Sequence, residues 1–487
     1  MSTQLVEPTD SHRRVPSADQ SSPQHPAPVR RVHPLAWILL LGAVLRVGLW
    51  FAWSGWSPLL NNDAEDYQGL ASRLATTGAY TSASGQLISL RPPLYPAIVA
   101  ATYWFAGIEH DHVARAVQAC VGLLTTLVVY RLGVLVYSRR IALCAAAITC
   151  FYPALLAYSN VLLSETWFTF FAVAFAWLVL EAVHRERLAI LAAAGLALAL
   201  AALTRSIMLL FVPFLALYLL WAWRGAWGRR VTAALLPLVV FALLIAPWAV
   251  RNTRLQQTLA IIDVMGGRNA MMGNYEYTPT ERSWATISDV GGERAWYNVL
   301  ARERLDAAPL TQGQLDKQAL AHAIRFVLTH PTLTLKRDVV KFFNFWQLER
   351  TFVAAAANGY FGDLSKVAVG FVAAVFCGSY TVVIFAAMFG ICSARPADWR
   401  DHVFLLGSIL FPCLIHSLIF AHERYRLPVM PLLFLYAAAA LVDWRQIWDR
   451  RRTVGFAVAV GLCLLLTAGW LRELLMVDLA LAERLIG

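Results

Sequence analysis

The chain has 487 residues, of which 59% are hydrophobic and only 15% charged. Globular domains sit near 45–50% apolar and about 25% charged. A mean hydropathy of +0.56 therefore excludes both a soluble globular enzyme and a largely disordered chain. The net charge of +11 does not mark a nucleic-acid binder, because Arg and Lys sit mostly in short connections between apolar runs, as in cytoplasmic loops of membrane proteins.

Residues 1–34 are rich in Pro, Ser, His and Arg and lack the apolar core of a signal peptide, so they are expected to form a disordered cytoplasmic tail. A bilayer core of roughly 30 Å takes about 20 apolar helical residues. Eleven runs qualify as candidate spans: 35–53, 113–137, 140–158, 161–181, 188–203, 206–222, 231–250, 366–393, 402–421, 428–444 and 453–472. The fifth and sixth are short enough for a tilted or partly re-entrant pair. The expected class is an all-α polytopic membrane protein with about eleven transmembrane helices. Seven cysteines (Cys120, Cys144, Cys150, Cys377, Cys392, Cys413 and Cys463) lie in or beside these runs without CxxC spacing, which points to small packing residues rather than disulfides or a zinc site.

With the N-terminus cytoplasmic, every inner connection is basic: Arg13, Arg14, Arg30 and Arg31, then Arg139 and Arg140, His184 to Arg187, Arg224 to Arg230, Arg395 to Arg400, and Arg445 to Arg452. The outer face then receives two long segments, 54–112 and 251–365, and short turns near Tyr158–Val161, Thr204–Arg205 and Ala421–Leu427. The unusual polar motifs all fall on that side. In 251–365, Leu315, Ala319, Ala323 and Phe326 form one helical stripe, and Leu335, Val339, Phe342 and Trp346 form another; such helices suit the membrane plane or a cap on the bundle. Asp263 to Gly292, rich in Gly, Asn, Tyr and Met, is expected to be a functional loop. The tail 473–487 resembles an amphipathic outer helix.

The first motif is Asn61-Asn62-Asp63-Ala64-Glu65-Asp66-Tyr67. Three carboxylates in four residues repel one another, which would raise at least one pKa and suit a general base; equally, acids cap the first turn of a helix. Next, Arg91-Pro92-Pro93-Leu94-Tyr95-Pro96 fixes a rigid turn before a helix. Ser164-Glu165 places an ionisable group at the edge of an apolar run. Arg205, Arg424 and Arg426 stand on the outer face against the positive-inside trend, and a guanidinium fork suits phosphate oxygens. His422 shares the last motif. Pro247-Trp248-Ala249-Val250-Arg251-Asn252, Gly266-Gly267-Arg268-Asn269 and Gly273-Asn274-Tyr275 supply backbone freedom and donors for a sugar or phosphate pocket. Arg46, inside the first span, needs a partner, for which an acid of the first outer loop is the expected candidate.

The order of these motifs resembles the bacterial branch of the GT-C glycosyltransferases, the group similar to dolichyl-phosphate-mannose–protein mannosyltransferases that includes the lipid A aminoarabinose transferases. The resemblance covers roughly 35–445. It implies a GT-C-like module over 35–250, an outer-face loop over 251–365, C-terminal spans over 366–472, and an active site at the outer face of the inner or plasma membrane. It implies a polyprenyl-phosphate-linked sugar donor, a cell-envelope acceptor (glycolipid, polysaccharide or protein), membrane lipid as surroundings and no nucleic acid. Asp63 then aligns with the family's base, with Glu65 and Asp66 close enough to take that role instead. Glu165 aligns with a second acid that orients acceptor or sugar. Arg205, Arg424 and Arg426 would bind the donor phosphate, and Tyr67, Arg91, Tyr95, Arg251, Asn252, Asn269, Asn274 and His422 would line the pocket. Arg91 stands where the lipid A enzymes carry lysine, which counts against aminoarabinose. No cofactor is implied and no spacing demands a metal, although paired outer acids could hold a divalent cation. Two other functions compete: a lipid-diphosphate-dependent oligosaccharide ligase or polymerase, and a non-enzymatic lipid-sugar transporter or flippase.

Overall fold

The computed structural model describes residues 33–57, 59–303 and 309–479. The expected N-terminal tail, except for its last two residues, and the chain end beyond 479 lie outside the described residues. The first half runs through α1 (Pro34–Ala52), α2 (Asn62–Thr77), α3 (Leu94–Ala106), α4 (Asp111–Val136), α5 (Arg139–Phe151), α6 (Pro153–Tyr158), α7 (Glu165–Arg185) and α8 (Leu188–Thr204). A 3-10 turn, Ser206–Phe211, leads into α9 (Val212–Ala222), followed by α10 (Trp227–Gln256). Segment 251–365 holds α11 (Gly266–Gly273), α12 (Thr286–Asp289), α13 (Trp296–Arg302), α14 (Gln312–Thr329), α15 (Pro331–Phe345) and α16 (Thr351–Ala357). The chain then returns through α17 (Lys366–Ser393), α18 (Trp399–Leu418), the 3-10 segment Glu423–Val429, α19 (Met430–Val442), α20 (Trp444–Asp449) and α21 (Val454–Glu473).

All eleven expected runs are helical, and the protein is a multi-pass membrane protein. Among the described residues, eight helices are long and apolar enough to cross a bilayer. The other three runs form shorter helices. Run 140–158 breaks between α5 and α6, where Tyr152 turns extended and Pro153, lacking an N–H, starts a new helix. The run at 206–222 begins as a 3-10 turn, because Arg205 is extended after α8. Run 188–203 matches α8, at 17 residues a little under a full bilayer width.

The core of the bundle is α19, whose residues from Met430 to Ala440 are all buried. It lies against α5 and α17, while α7 is flanked by α4 and α8. The seven cysteines are free thiols. Arg46 finds no acid: its guanidinium donates to the carbonyls of Gly42 and Cys150, the latter at 3.0 Å. The break after α5 explains this, since the last carbonyls of a helix have no partner within it, and Arg46 supplies one of them with a donor.

In α14, Ala319, Ala323 and Phe326 are buried as the stripe requires. In α15 the stripe splits, with Trp346 buried and its other three residues exposed. Arg337, Lys341 and Asn344 face inward, while Leu335, Val339 and Phe342 face outward. The inward polar groups hold the preceding loop: Arg337 donates to the carbonyls of Tyr275 and Thr278, and Lys341 Nζ to Asn274 Oδ1 at 2.9 Å. An apolar outer face suits a lipid-facing helix.

Candidate active site

Segment 54–112 is built to present Asp63. Asn61 caps α2, its side chain accepting from the Ala64 N–H, and this leaves Asp63 in the first turn, where the helix dipole favours an acid. Tyr67 follows one turn later, with Arg91 over its ring at 5.5 Å. Arg91 sits in the rigid proline turn that opens α3, and its Nη2 reaches both Asp63 Oδ1 and Asp66 Oδ2 at 2.7 Å.

Three further motifs converge on this point. Glu165 is the first residue of α7 and fully buried. Arg205, in the break between α8 and its 3-10 turn, reaches Glu165 Oε1 at 2.7 Å and Ser164 Oγ at 3.2 Å. Arg424, in the 3-10 segment before α19, contacts Asp63 Oδ2 at 2.5 Å through Nη2 and Glu165 Oε1 at 3.4 Å through Nε. The result is one ionic chain, Arg91–Asp63–Arg424–Glu165–Arg205, drawn from five separated stretches of sequence. Glu165 Oε2 is buried and accepts no hydrogen bond, an exception to the usual satisfaction of buried polar atoms.

The expectation of a raised pKa in the acid cluster fails for Asp63. Burial alone would raise its carboxyl, but the guanidiniums of Arg424 and Arg91 hold it well below the usual carboxylate range. Of its two neighbours, Asp66 is exposed and shares Arg91, while Glu65 is exposed and makes no ion pair among the described residues. Asp63 alone is tied to the inner chain. Asp63 and Asp66 converge on one cationic atom, Arg91 Nη2.

An apolar cleft adjoins Arg205. Its walls include Phe168, Phe175, Ile207, Met208, Phe211 and Leu432, and its polar lining includes Arg205, His416 and Tyr425. The His416 and Tyr425 rings stack at 4.3 Å, and Arg205 lies over the Tyr425 ring at 5.7 Å.

Several expected pocket residues serve the scaffold instead. Arg426 is fully buried away from the ionic chain, donating to the carbonyls of Phe345 and Gln347 and to Glu349 Oε2 at 3.1 Å, and it stands over the Tyr380 ring at 3.9 Å. Its Nε is buried without a partner, and the guanidinium is held by these groups rather than by the ionic chain. Tyr95 is buried behind Tyr67 and donates to Gln118. Arg251 and Asn252 clasp segment 54–112 through Ile88 and Ser89. Asn274 is held by Lys341 and by the Leu418 carbonyl. The Asn269 N–H closes a turn onto Met265. His422 caps the 3-10 segment through the Arg424 N–H and lies beside Trp284. The glycines of 266–273 do not supply a positive-φ loop, since they form helix α11. Two of them serve close approach: a Cβ on Gly267 would stand 1.9 Å from the Asp316 carbonyl oxygen, and one on Gly273 1.8 Å from that of Ile419, whereas Gly266 faces open space.

One acid absent from the expected site lies near it. Burial pushes the Asp263 carboxyl up to about 6, within reach of the opposing charge of Arg91 and beside Ser206. Among the described residues, the one cluster with ligand-like geometry for a metal is His184, Asp398 and Asp401. It sits at the other end of α7 from Glu165, roughly 30 Å away along the helix. Asp401 is bonded there to His184, and Asp398 to Arg400.

Residues 90–250 match the family model described as dolichyl-phosphate-mannose-protein mannosyltransferase. This third of the chain holds Arg91, Glu165, Arg205 and Arg251, and the resemblance to GT-C membrane glycosyltransferases drawn from the motif order stands. No curated protein sequence matches the chain significantly. Among solved structures, the chain is similar to the archaeal oligosaccharyltransferase AglB from Archaeoglobus fulgidus, in complex with an inhibitory peptide and a dolichol-phosphate (16% identity, TM-score 0.49, 90% of this chain and 54% of that one). It is also similar to ArnT from Cupriavidus metallidurans bound to undecaprenyl phosphate (13% identity, TM-score 0.43, 85% of this chain and 79% of that one). The chain thus spans about half the length of the archaeal protein.

Proposed function

We propose that this protein is an inverting GT-C glycosyltransferase that moves a sugar from a polyprenyl-phosphate donor to a hydroxyl of a cell-envelope acceptor, at the outer face of the membrane. One observation carries the reading: the carboxylate–guanidinium chain from Arg91 to Arg205 stands against an apolar cleft. A lipid phosphate has that pair of needs, guanidinium forks for its oxygens and an apolar groove for its chain. The outer location rests on the basic inner connections.

In this reaction the acceptor oxygen attacks the anomeric carbon. A carbon–oxygen bond forms on one face, the bond to the phosphate oxygen breaks on the other, and the lipid phosphate leaves with the electron pair. Arg205 and Arg424 stabilise the charge gathering on it. The acceptor proton passes to Asp63, and the unfilled Glu165 Oε2 accepts a hydroxyl of acceptor or sugar. At rest Asp63 is a poor base, because Arg424 and Arg91 hold its pKa down. A phosphate that draws Arg424 away raises that pKa, so the base becomes competent once the donor is in place.

The test uses purified protein in lipid nanodiscs with a panel of radiolabelled polyprenyl-phosphate sugars. Release from one donor, abolished in Asp63→Asn, is the expected result. Release only from lipid-diphosphate donors would overturn the reading in favour of a ligase.

A further inference from the structure

The loop between α10 and α11 is clasped on both sides of Asp263. The Ile262 carbonyl accepts from Trp248 Nε1 and from Asn252 Nδ2, both at 2.8 Å, and the Val264 N–H donates to the Ser89 carbonyl at 3.0 Å. These bonds fix Asp263 between two elements of the ionic chain. Ser89 lies two residues before Arg91, and Ser206, beside the Asp263 carboxyl, directly follows Arg205. The Asp263 side chain keeps partial exposure and makes no ion pair among the described residues. Arg91, the nearest cation in its field, is already engaged by Asp63 and Asp66. The carboxyl itself accepts from the Ser206 hydroxyl and, at 3.4 Å, from the Met265 N–H.

A carboxyl held rigidly at a site, largely buried and without an ion pair, is a hydrogen-bond acceptor with spare capacity. The arginines serve a phosphate, and Asp63 serves one proton. A sugar ring still carries several hydroxyls that need acceptors. We infer that Asp263 is the specificity-determining carboxylate of this site, accepting hydrogen bonds from hydroxyls of the sugar or of the acceptor. The inference rests on the proposed transfer reaction and adds to it a contact to the carbohydrate itself. The groups around Asp263 are Arg91 on the proline turn, Tyr80 on segment 54–112, Asp316 on α14 and Ser206 on the 3-10 turn. Burial and Asp316 favour its neutral form, whereas Arg91, Ser206 and the Met265 N–H favour the charged one. Its charge therefore changes near pH 6, and the strength of the hydroxyl contact changes with it.

The experiment compares wild type, Asp263→Asn and Asp263→Glu in nanodiscs. Sugar transfer is followed from the polyprenyl-phosphate panel to an envelope glycolipid fraction between pH 5 and 8, and binding of sugar-free polyprenyl phosphate is measured in parallel. Wild-type transfer falls as pH drops through about 6. The Asn variant transfers at least tenfold more slowly, without that acid limb, and binds sugar-free polyprenyl phosphate as wild type does. The Glu variant recovers part of the rate and the limb. Wild-type rate and limb in the Asn variant would overturn the inference. Parallel loss of polyprenyl-phosphate binding would overturn it too, by marking Asp263 as a prop of the loop. If wild type releases no sugar from any donor, the transfer reaction itself falls, an outcome distinct from failure of Asp263 alone.

Discussion

Replacing Asp63 by Asn removes the negative charge between Arg91 and Arg424 at nearly constant shape. The carboxylate now accepts from both guanidiniums, at 2.7 and 2.5 Å. The amide keeps one acceptor and turns an NH2 toward the other guanidinium, so one contact is lost. Two unit charges at about 4 Å interact with roughly 4 kcal/mol at an effective dielectric of about 20. Asp63 keeps 27% of its side-chain exposure. Solvent screening and the mutual repulsion of the arginines bring the net loss down to roughly 1.5–3 kcal/mol of stability, the range for a hydrogen bond to a charged group. The sign with pH follows from the depressed carboxyl. Its pairing contributes above about pH 4 and is lost as pH falls through the lower folded value. The variant is thus less stable at neutral pH and loses less of its stability on acidification.

The two functions of the site move in opposite directions. Removing a positioned base costs roughly 10²–10⁴ in rate, about 3–5 kcal/mol of barrier. Arg424, no longer held by a carboxylate, becomes more available to a phosphate. Turnover in Asp63→Asn therefore falls at least a hundredfold while affinity for sugar-free polyprenyl phosphate holds or rises. Ligand-dependent thermal shifts in nanodiscs read the affinity, and radiolabelled donor release reads turnover. If phosphate affinity fell in step with turnover, Asp63 would be an organiser of the arginines rather than the base, and the mechanism would need another proton acceptor.

Two other substitutions separate the arginines of the last motif. Arg424→Gln removes a cation from the centre of the chain and should weaken polyprenyl-phosphate binding by roughly 2–4 kcal/mol, about thirty- to several-hundredfold, in the same thermal-shift assay. Arg426→Met leaves Glu349 buried without its cation and should cost roughly 3–5 kcal/mol of stability, seen as a lowered melting temperature; the protein that survives keeps wild-type phosphate affinity. Equal loss of phosphate affinity in both variants would contradict their assignment to different roles.

The neighbouring arginines also show where sequence reading stops. The motif around 422–428 supplies Arg424, which meets Asp63 across 361 residues of chain. It could not tell Arg424 from Arg426. A 3-10 segment has three residues per turn, so positions two apart face different ways, one into the ionic chain and one into the Glu349 pocket. The apolar runs gave the spans because burial in lipid leaves a long compositional trace, but the breaks at Pro153 and Arg205 depend on local backbone choices that hydropathy averages away. The glycines of 266–273 carried a true signal under the wrong heading, since closeness to a neighbouring backbone and freedom of φ both select Gly. Asp263 had a signal too, a single acid between Ile261-Ile262 and Val264, which marks a carboxyl tied to buried neighbours. It was hidden inside a loop chosen for its glycines. The Arg46 partner was out of reach because it is a carbonyl, and backbone acceptors have no sequence signature.

The charge on the donor gives the arginines their catalytic direction. A sugar linked through a phosphodiester carries one negative charge on its phosphate. The departing lipid phosphate is a monoester that carries about −1.5 to −2 near neutral pH, as phosphomonoesters with a second pKa near 6 do. Guanidiniums at Arg205 and Arg424 therefore bind the leaving group more tightly than the donor, and that difference already grows in the transition state, which is the condition for accelerating chemistry rather than merely gathering substrate. The same difference retains the product. Sugar-free polyprenyl phosphate should thus be a competitive inhibitor with an inhibition constant below the donor KM. Its advantage should shrink between pH 7 and 5 as the monoester takes up its second proton. The measurement is donor release at several inhibitor concentrations across that pH range. An inhibition constant above the donor KM at neutral pH, or one that tightens on acidification, would show that the arginines are not reading the phosphate charge and that the lipid chain in the apolar cleft dominates binding.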